Sequence, residues 1–189
     1  MSNPFLPRFL RRFFVFLGCF FGCLVLASIL DSLFLILVTI STVVVVPVYF
    51  NMKDNKEKAS CIEMIRRKYN QENVFAIDAY HPNLEWGYLS LTSQAFIFVP
   101  KKGDIIYIAL DAVTNYGSTA IGTGEFATTT SSVGNTGMSI SSTREVKSPI
   151  FYVNVNEEAY YWHTKKNSKM FDAVQKLQGK DPGKLKSNY

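Results

Sequence analysis

The sequence is poor in the residues that build metal sites and disulfide frameworks. Its 189 residues include three cysteines and two histidines. A structural zinc site needs about four such ligands at close spacing, and a disulfide scaffold needs many more cysteines. We therefore expect no metal, no cofactor and no disulfide framework, and the three thiols are compatible with a reducing compartment.

The motifs of common catalytic sites are also missing. No Gly-x-Ser-x-Gly elbow occurs, and Gly122-Thr123-Gly124 lacks the third glycine and the strand-to-helix setting of a dinucleotide-binding loop. His81 and His163 have no cysteine or second histidine close to them in sequence, so surface or packing roles are expected for both. The sequence therefore predicts a protein that is not an enzyme.

Charge is nearly absent between residues 13 and 50. There, 29 of 38 positions are apolar and Asp31 carries the one formal charge. At about 1.5 Å per residue, one helix of that length would span nearly twice the roughly 30 Å of a bilayer core. We predict two transmembrane helices, 13–30 and 33–50, with Asp31 in the turn between them. A cleavable signal peptide is the alternative, but the apolar stretch is too long for one.

Residues 1–50 form the predicted membrane anchor, and basic residues flank its apolar run (residues 13–50) on both sides. Arg8 and two further arginines precede it, and six lysines and arginines follow it within about 20 residues. Basic flanks stay in the cytoplasm, so an even number of crossings is required. We expect a multi-pass inner-membrane protein with both termini and the soluble part cytoplasmic. The residues expected to contact the bilayer's anionic headgroups are Arg11, Arg12, Arg66, Arg67 and Lys68.

The first predicted span carries small residues at helical spacing. Gly18 and Gly22 form a G-x-x-x-G pair, which Cys23 and Ala27 continue. Small faces let helix backbones approach closely within lipid. We expect these four residues to pack against the second span, with a second copy of the protein as the alternative partner.

Residues 51–72 are predicted to form a basic linker and a short juxtamembrane helix. The polar residues 51–58 indicate a linker, and Ser60-Cys61-Ile62-Glu63 matches a capping box at a helix start. Ile65 and its neighbours give the helix an apolar stripe beside a basic face. That face either touches anionic headgroups or stays solvated while the stripe packs on the following domain.

From Asn73 the pattern becomes that of a small α+β domain, predicted to cover residues 73–179. Strands are predicted at 73–79, 86–92, 94–99, 104–110 and 150–155, with a further aromatic strand at Tyr160-Tyr161-Trp162. A closing helix begins at Asn167 or Ser168 and ends at Gly179, before a polar tail at 180–189. The Gly/Ser/Thr-rich stretch 117–143 is interpreted as a long β-hairpin or as a mobile loop.

The domain is electrically neutral. Residues 69–189 contain 11 basic and 11 acidic side chains, so the basic field that nucleic-acid binding requires is missing. We therefore expect no nucleic-acid partner, and the net charge of +5 belongs to the flanks of the anchor.

One run of the domain resembles the bacterial pleckstrin-homology-like domains of the GRAM-like kind. It contains Leu91-Thr92, a strand, the turn Lys102-Gly103, a strand ending in Leu110-Asp111, and Val113. The resemblance covers residues 73–178 and implies a bent antiparallel sheet or partly open barrel, capped by one C-terminal helix. Gln94 and Ala95 stand where that family commonly has a basic residue. Headgroup recognition by the domain is therefore not implied.

The function expected from these features is that of a non-enzymatic, membrane-anchored cytoplasmic binding or scaffold module. Its partner would be another protein or a second copy of itself. The alternative is a membrane-active regulator, such as a phage- or plasmid-type exclusion or stress factor, that acts through the transmembrane hairpin.

Overall fold

The computed structural model describes residues 4–30, 33–133 and 138–180, which divide into two compact units. Pro4–Ser60 form one unit, and the chain from Cys61 onward forms the other.

The first unit consists of two apolar helices. Helix α1 covers Leu6–Leu30, and helix α2 begins at Leu33 and continues to Tyr69. Each is long and apolar enough to cross a membrane. In the most apolar 18-residue segment of each helix, only 6% is buried. Both predicted spans lie within these helices, while the turn predicted at Asp31 lies outside the described residues.

The polar linker predicted at 51–58 and the helix start predicted at Ser60 are both wrong. Helix α2 runs without interruption through both segments. Residues 51–60 are polar but include Lys, Glu, Met and Ala, which favour helix, and they contain no Gly or Pro to end one. Ser60 therefore lies inside the helix. The free backbone N–H groups that a capping box satisfies exist only at a helix start, so Ser60 and Glu63 do not form one.

The second unit is an antiparallel sheet with a C-terminal helix, which confirms the predicted α+β class. Seven strands lie in the order β4-β3-β2-β1-β7-β6-β5. They are β1 Asn73–His81, β2 Glu85–Thr92, β3 Ala95–Pro100, β4 Ile106–Ala109, β5 Val113–Val133, β6 Met138–Val155 and β7 Glu158–His163. Helix α3 covers Asn167–Lys180, so it begins where the capping pattern predicted. The rest of the predicted tail lies outside the described residues.

The sheet is strongly bent. Phe96 on β3 and Phe151 on β6 have ring centroids 5.6 Å apart, although three strands separate β3 from β6 in the sheet order. Strands lie about 4.8 Å apart, so a flat sheet would hold these rings roughly 19 Å from each other. The three-residue 3-10 helix Leu110–Ala112 joins β4 to β5, which are the two outer strands.

The main core lies inside this bend. It contains Leu89, Phe98 and Trp162 from the sheet, together with Met170 and Val174 from α3, all of them fully buried. The predicted apolar face of the closing helix is confirmed, because Phe171 and Leu177 also pack against this core.

The stretch 117–143 forms a long β-hairpin, as the first of the two interpretations predicted. β5 and β6 pair from Val113 opposite Val155 to Val133 opposite Met138, with an irregularity between Gly122 and Phe126. Residues 134–137 lie outside the described part of the chain.

Candidate interaction surfaces

An ion-pair cluster joins the start of α1 to α2. The Asp54 carboxylate lies 2.8 Å from an Arg8 guanidinium nitrogen and 2.7 Å from an Arg12 nitrogen. Arg12 donates to both carboxylate oxygens and also lies over the Phe50 ring, 5.2 Å from its centroid. Because residues 12 and 54 touch, the two polar flanks of the apolar helices lie at the same end of this unit.

The sequence carried a signal for this cluster. A hairpin whose turn is centred on residues 31–32 places residues 9–12 opposite residues 51–54. Asp54 is the first acid after the second apolar run, so it was the natural partner for the preceding arginines. Consequently Arg12, one of the expected lipid contacts, is paired with the Asp54 carboxylate, whereas Arg11 is exposed.

The small-residue face of α1 is only partly packed. Ala27 is buried and Cys23 is half-buried. Gly18 and Gly22 are exposed, and a Cβ atom added at either would meet no heavy atom within 4 Å. Within the described residues, packing is therefore confined to the C-terminal end of the strip, and the glycine pair lies open.

The hydroxyl groups of the second span are satisfied within their own helix. Thr39 donates to the carbonyl of Leu35 at 2.8 Å, and Thr42 donates to the carbonyl of Thr39 at 2.7 Å. Such bonds would remove the cost of placing a hydroxyl in lipid.

In the second unit, the end of α2 packs on the outer face of the sheet. Ile65 is fully buried and, with Cys61, joins a cluster that contains Tyr88, Ala95 and Ile97. Burial raises the pKa of the Cys61 thiol to about 11, so little thiolate forms at neutral pH. The apolar stripe therefore packs on the domain, as the second of the two interpretations proposed.

A polar network fixes the chain where α2 ends and β1 begins. The Thr92 hydroxyl donates to Gln71 Oε1 at 2.8 Å and accepts the backbone N–H of Ala95 at 2.9 Å. Gln71 Nε2 in turn donates to Gln94 Oε1 at 3.0 Å and to the Tyr107 hydroxyl at 3.1 Å. Gln71 and Thr92 are buried, so this network holds the helix end and the β2–β3 turn together.

The basic face of this helix points away from that packing. Arg66, Arg67 and Lys68 are all exposed. Arg67 pairs with Glu63 at 3.0 Å in an exposed contact, which contributes little free energy, and Lys68 lies over the Tyr69 ring. The three cations are thus available to an anionic surface.

The two histidines occupy different surroundings. His163 Nδ1 lies 2.8 Å from the Ser148 hydroxyl, and both residues are at least 95% buried. His81 Nδ1 accepts the backbone N–H of Asn83 at 3.3 Å. Burial lowers the pKa of both imidazoles. The serine–histidine pair was not predicted, because residues 148 and 163 meet only through the pairing of β6 with β7.

We expect the stability of the domain to fall as the pH drops below about 6.5, the ordinary histidine pKa. The pKa of His163 is lower in the folded state, so as the pH falls the unfolded chain is protonated first. This protonation stabilises the unfolded state relative to the folded state. The measurement is the urea midpoint between pH 7.5 and 5. His163→Asn should flatten the dependence in part, and His163→Asn with His81→Asn should flatten it further. An unchanged slope in the double variant would contradict the assignment.

Within the described ranges, no three His, Cys, Asp or Glu side chains lie close enough to hold a metal ion. A groove of about 590 Å³ lies between β1 and α3. Its lining combines the apolar side chains of Val74 and Leu177 with Lys169, Asp172 and Lys176. Because the charges are mixed, the groove presents no strong field of either sign.

Two comparisons with known proteins found no match. No protein-family model matches the sequence, and no curated protein matches it significantly. The likeness to pleckstrin-homology-like domains therefore rests on the residues quoted above and stays a prediction.

Proposed function

We propose that the protein is a membrane-anchored binding module. Helices α1 and α2 would form a two-helix anchor in a bacterial inner membrane, and the second unit would be a pleckstrin-homology-like domain that faces the cytoplasm. The domain would bind another protein or a second copy of itself, and no reaction is assigned to it.

The Arg8–Arg12–Asp54 cluster carries the topological part of this proposal. It brings the polar ends of both apolar helices together, as a chain that enters and leaves the bilayer on one side requires. The apolar stretches of about 18 residues match the thickness of a bilayer core at about 1.5 Å per residue. Basic residues at that shared end favour the cytoplasmic side.

The construction of the second unit supports the binding role. Its two cores are closed by α3 on the inner face and by residues 61–69 on the outer face, so the unit has the interior of an independent domain. Val74, Ile121 and Phe126 lie outside these cores and are exposed, so each could contribute apolar contact area to a partner.

One observation favours the alternative function, a regulator that acts inside the bilayer. The open Gly18–Gly22 face of α1 could receive a helix of another membrane protein. The two functions can be distinguished by asking which part of the chain carries the biological activity. If residues 1–58 fused to an unrelated domain retain the activity, the regulator is supported and the binding module is excluded.

Reporter fusions test the topology. A reporter that is active only in the cytoplasm should work when it is fused after Tyr189. A reporter that is active only outside the membrane should work when it is inserted next to Asp31. The physical reason is the basic charge on both flanks of the anchor. Substitution of Arg8, Arg11 and Arg12 by glutamine should weaken this preference. An external C-terminus in the natural chain would overturn the proposed orientation.

Vesicle binding tests the proposed lipid contacts. A fragment of residues 59–189 should bind vesicles that contain anionic lipid at low salt and should dissociate from them at high salt. Each cation near such a surface is worth about 1 kcal/mol, so neutralising Arg66, Arg67 and Lys68 to glutamine should weaken binding roughly 100-fold. The control neutralises the exposed turn residues Lys101 and Lys102. An equal loss in both variants would contradict a specific contact.

A further inference from the structure

The β5–β6 hairpin extends beyond the rest of the sheet. β7 pairs with β6 only from Ile150 to Val155, whereas β5 and β6 stay paired out to Val133 and Met138. At about 3.3 Å per residue, the part of β5 beyond Thr119 is roughly 45 Å long. Among the described residues no third strand pairs with this part on either side.

A two-stranded ribbon of this kind is marginally stable in water and gains stability from further strands. It also presents two rows of backbone N–H and C=O groups that can pair with another chain. The ribbon is therefore the place where the sheet is most open to extension.

The two edges of the ribbon are not equivalent. Proteins protect an exposed edge with lysines, other charges and proline. Opposite residues 126–133 of β5, β6 carries Arg144 and Glu145, and Lys147 and Pro149 follow before β7 begins to pair. The segment Phe126–Val133 of β5, which we term the β5 edge, contains no charged residue and no proline. The β5 edge is thus the unprotected one.

The irregularity before the β5 edge is held by specific hydrogen bonds. The Thr123 hydroxyl donates to the carbonyl of Val146 at 2.6 Å, and the Gly124 N–H donates to the Glu145 carboxylate at 3.1 Å. Gly124 has a φ of +74°, which favours glycine. These contacts let regular pairing resume at Phe126, opposite Glu145, so the β5 edge begins as a regular strand.

We propose that the β5 edge pairs with the β5 edge of a second copy of this protein. The two hairpins then form a four-stranded antiparallel sheet in the order β6-β5-β5-β6 across a twofold axis. The proposal rests on the proposed function, because the anchor would keep copies in one membrane with their domains on the same side and raise their effective concentration.

The chemistry of the β5 edge favours a second copy over an unrelated strand. In a twofold pair each strand faces its own sequence, so any charge near the axis meets its own kind and repels it. The β5 edge carries no charge, and Glu125 lies just before it. Its backbone groups are complementary to themselves in the antiparallel direction.

Disulfide trapping in membranes tests the pairing with the full chain. The parent carries Cys19→Ala and Cys23→Ala, while the buried Cys61 stays. Single cysteines are placed in turn at positions 127–132 of β5 and, as matched controls, at positions 139–144 of β6, which lie opposite them in register. Residues at the axis on neighbouring strands satisfy disulfide geometry. The two β6 strands would lie roughly 14 Å apart and would not.

We expect one or two neighbouring β5 positions to give at least ten times more disulfide-linked dimer than any β6 position. A second measurement uses two differently tagged full-length copies that are expressed together. Thr128→Lys with Thr130→Lys should lower their co-purification at least ten-fold. Ser141→Lys with Thr143→Lys adds the same charge to β6 and should change co-purification less than two-fold.

The other outcomes overturn the inference. These are cross-links that favour β6, dimers absent from both series, co-purification that survives the β5 lysines, and trapping of a different protein by the β5 cysteines. Trapping of a different protein would still support the proposed function. The reporter fusions test the membrane part of that function independently, so a failure of self-pairing and a failure of the anchor are distinguishable.

Discussion

Removal of residues 1–58 is expected to leave a soluble domain that unfolds cooperatively, whereas removal of residues 1–72 should leave a chain that is largely unfolded or aggregated. The difference between the two fragments is the end of α2. Residues 59–72 bring Cys61, Ile65 and Tyr69 onto the outer face of the sheet and bring Gln71 into its hydrogen-bond network.

The size of this effect follows from burial. A fully buried apolar side chain contributes about 1.5–3 kcal/mol, so three of them contribute about 4.5–9 kcal/mol. The expected cost lies toward the lower end of this range, because Tyr69 is only partly buried. A domain of this size is stable by only about 5–15 kcal/mol. The measurement is urea unfolding followed by circular dichroism and by size-exclusion chromatography. A folded, monomeric fragment 73–189 with the same midpoint would contradict the role given to α2.

A matched pair of point variants separates packing from mere chain length. In the fragment 59–189, Ile65→Ala should cost about 3 kcal/mol because it leaves a cavity against the sheet. Glu63→Ala lies on the same helix but loses only an exposed ion pair, so its cost should stay below about 0.5 kcal/mol. Equal effects of the two substitutions would show that the helix does not depend on this packing.

The strands β1 to β4 and the closing helix were predictable because each carries its own periodic pattern, whereas most of β5 lies in the stretch 117–143, which the pattern left open between a hairpin and a loop. Ile106, Ile108 and Leu110 alternate toward the core, and Met170 with Val174 follow the helical period. The prediction of a linker at residues 51–58 was wrong for a related reason. Polarity at residues 51–58 reports exposure, and an exposed helix is as polar as a loop. Only the helix propensity of those residues, summed over the segment, pointed to the continuous α2.

The candidate surfaces were less predictable because they depend on pairs that are distant in sequence. Asp54 meets Arg12 only once the two helices lie side by side, and Ser148 meets His163 only through the β6–β7 register. The open Gly18–Gly22 pair shows the reverse case. Its spacing predicted a contact, but spacing does not specify which helix supplies the other side.

Gly87→Ala is expected to be among the most damaging single substitutions in the domain. Gly87 lies on β2 opposite Pro100 of β3. A Cβ atom there would collide with the carbonyl oxygen of Val99 and would lie 2.7 Å from Pro100 Cα and 2.8 Å from the Phe98 ring. Two of these three atoms belong to the backbone, so a side-chain rotation cannot relieve the overlap. The β2–β3 pair would have to separate where the core residue Phe98 is held.

Overpacking of this kind costs about 2–3 kcal/mol, which corresponds to a loss of roughly 10 °C in Tm for a domain of this size. Gly179→Ala is the matched control, because a Cβ atom there meets nothing within 4 Å and alanine favours the last turn of α3. We expect it to leave Tm unchanged or to raise it by a few degrees. Thermal unfolding of both variants of fragment 59–189 decides the matter. If Gly87→Ala melts with the natural fragment, then β2 and β3 do not approach as closely as this register requires.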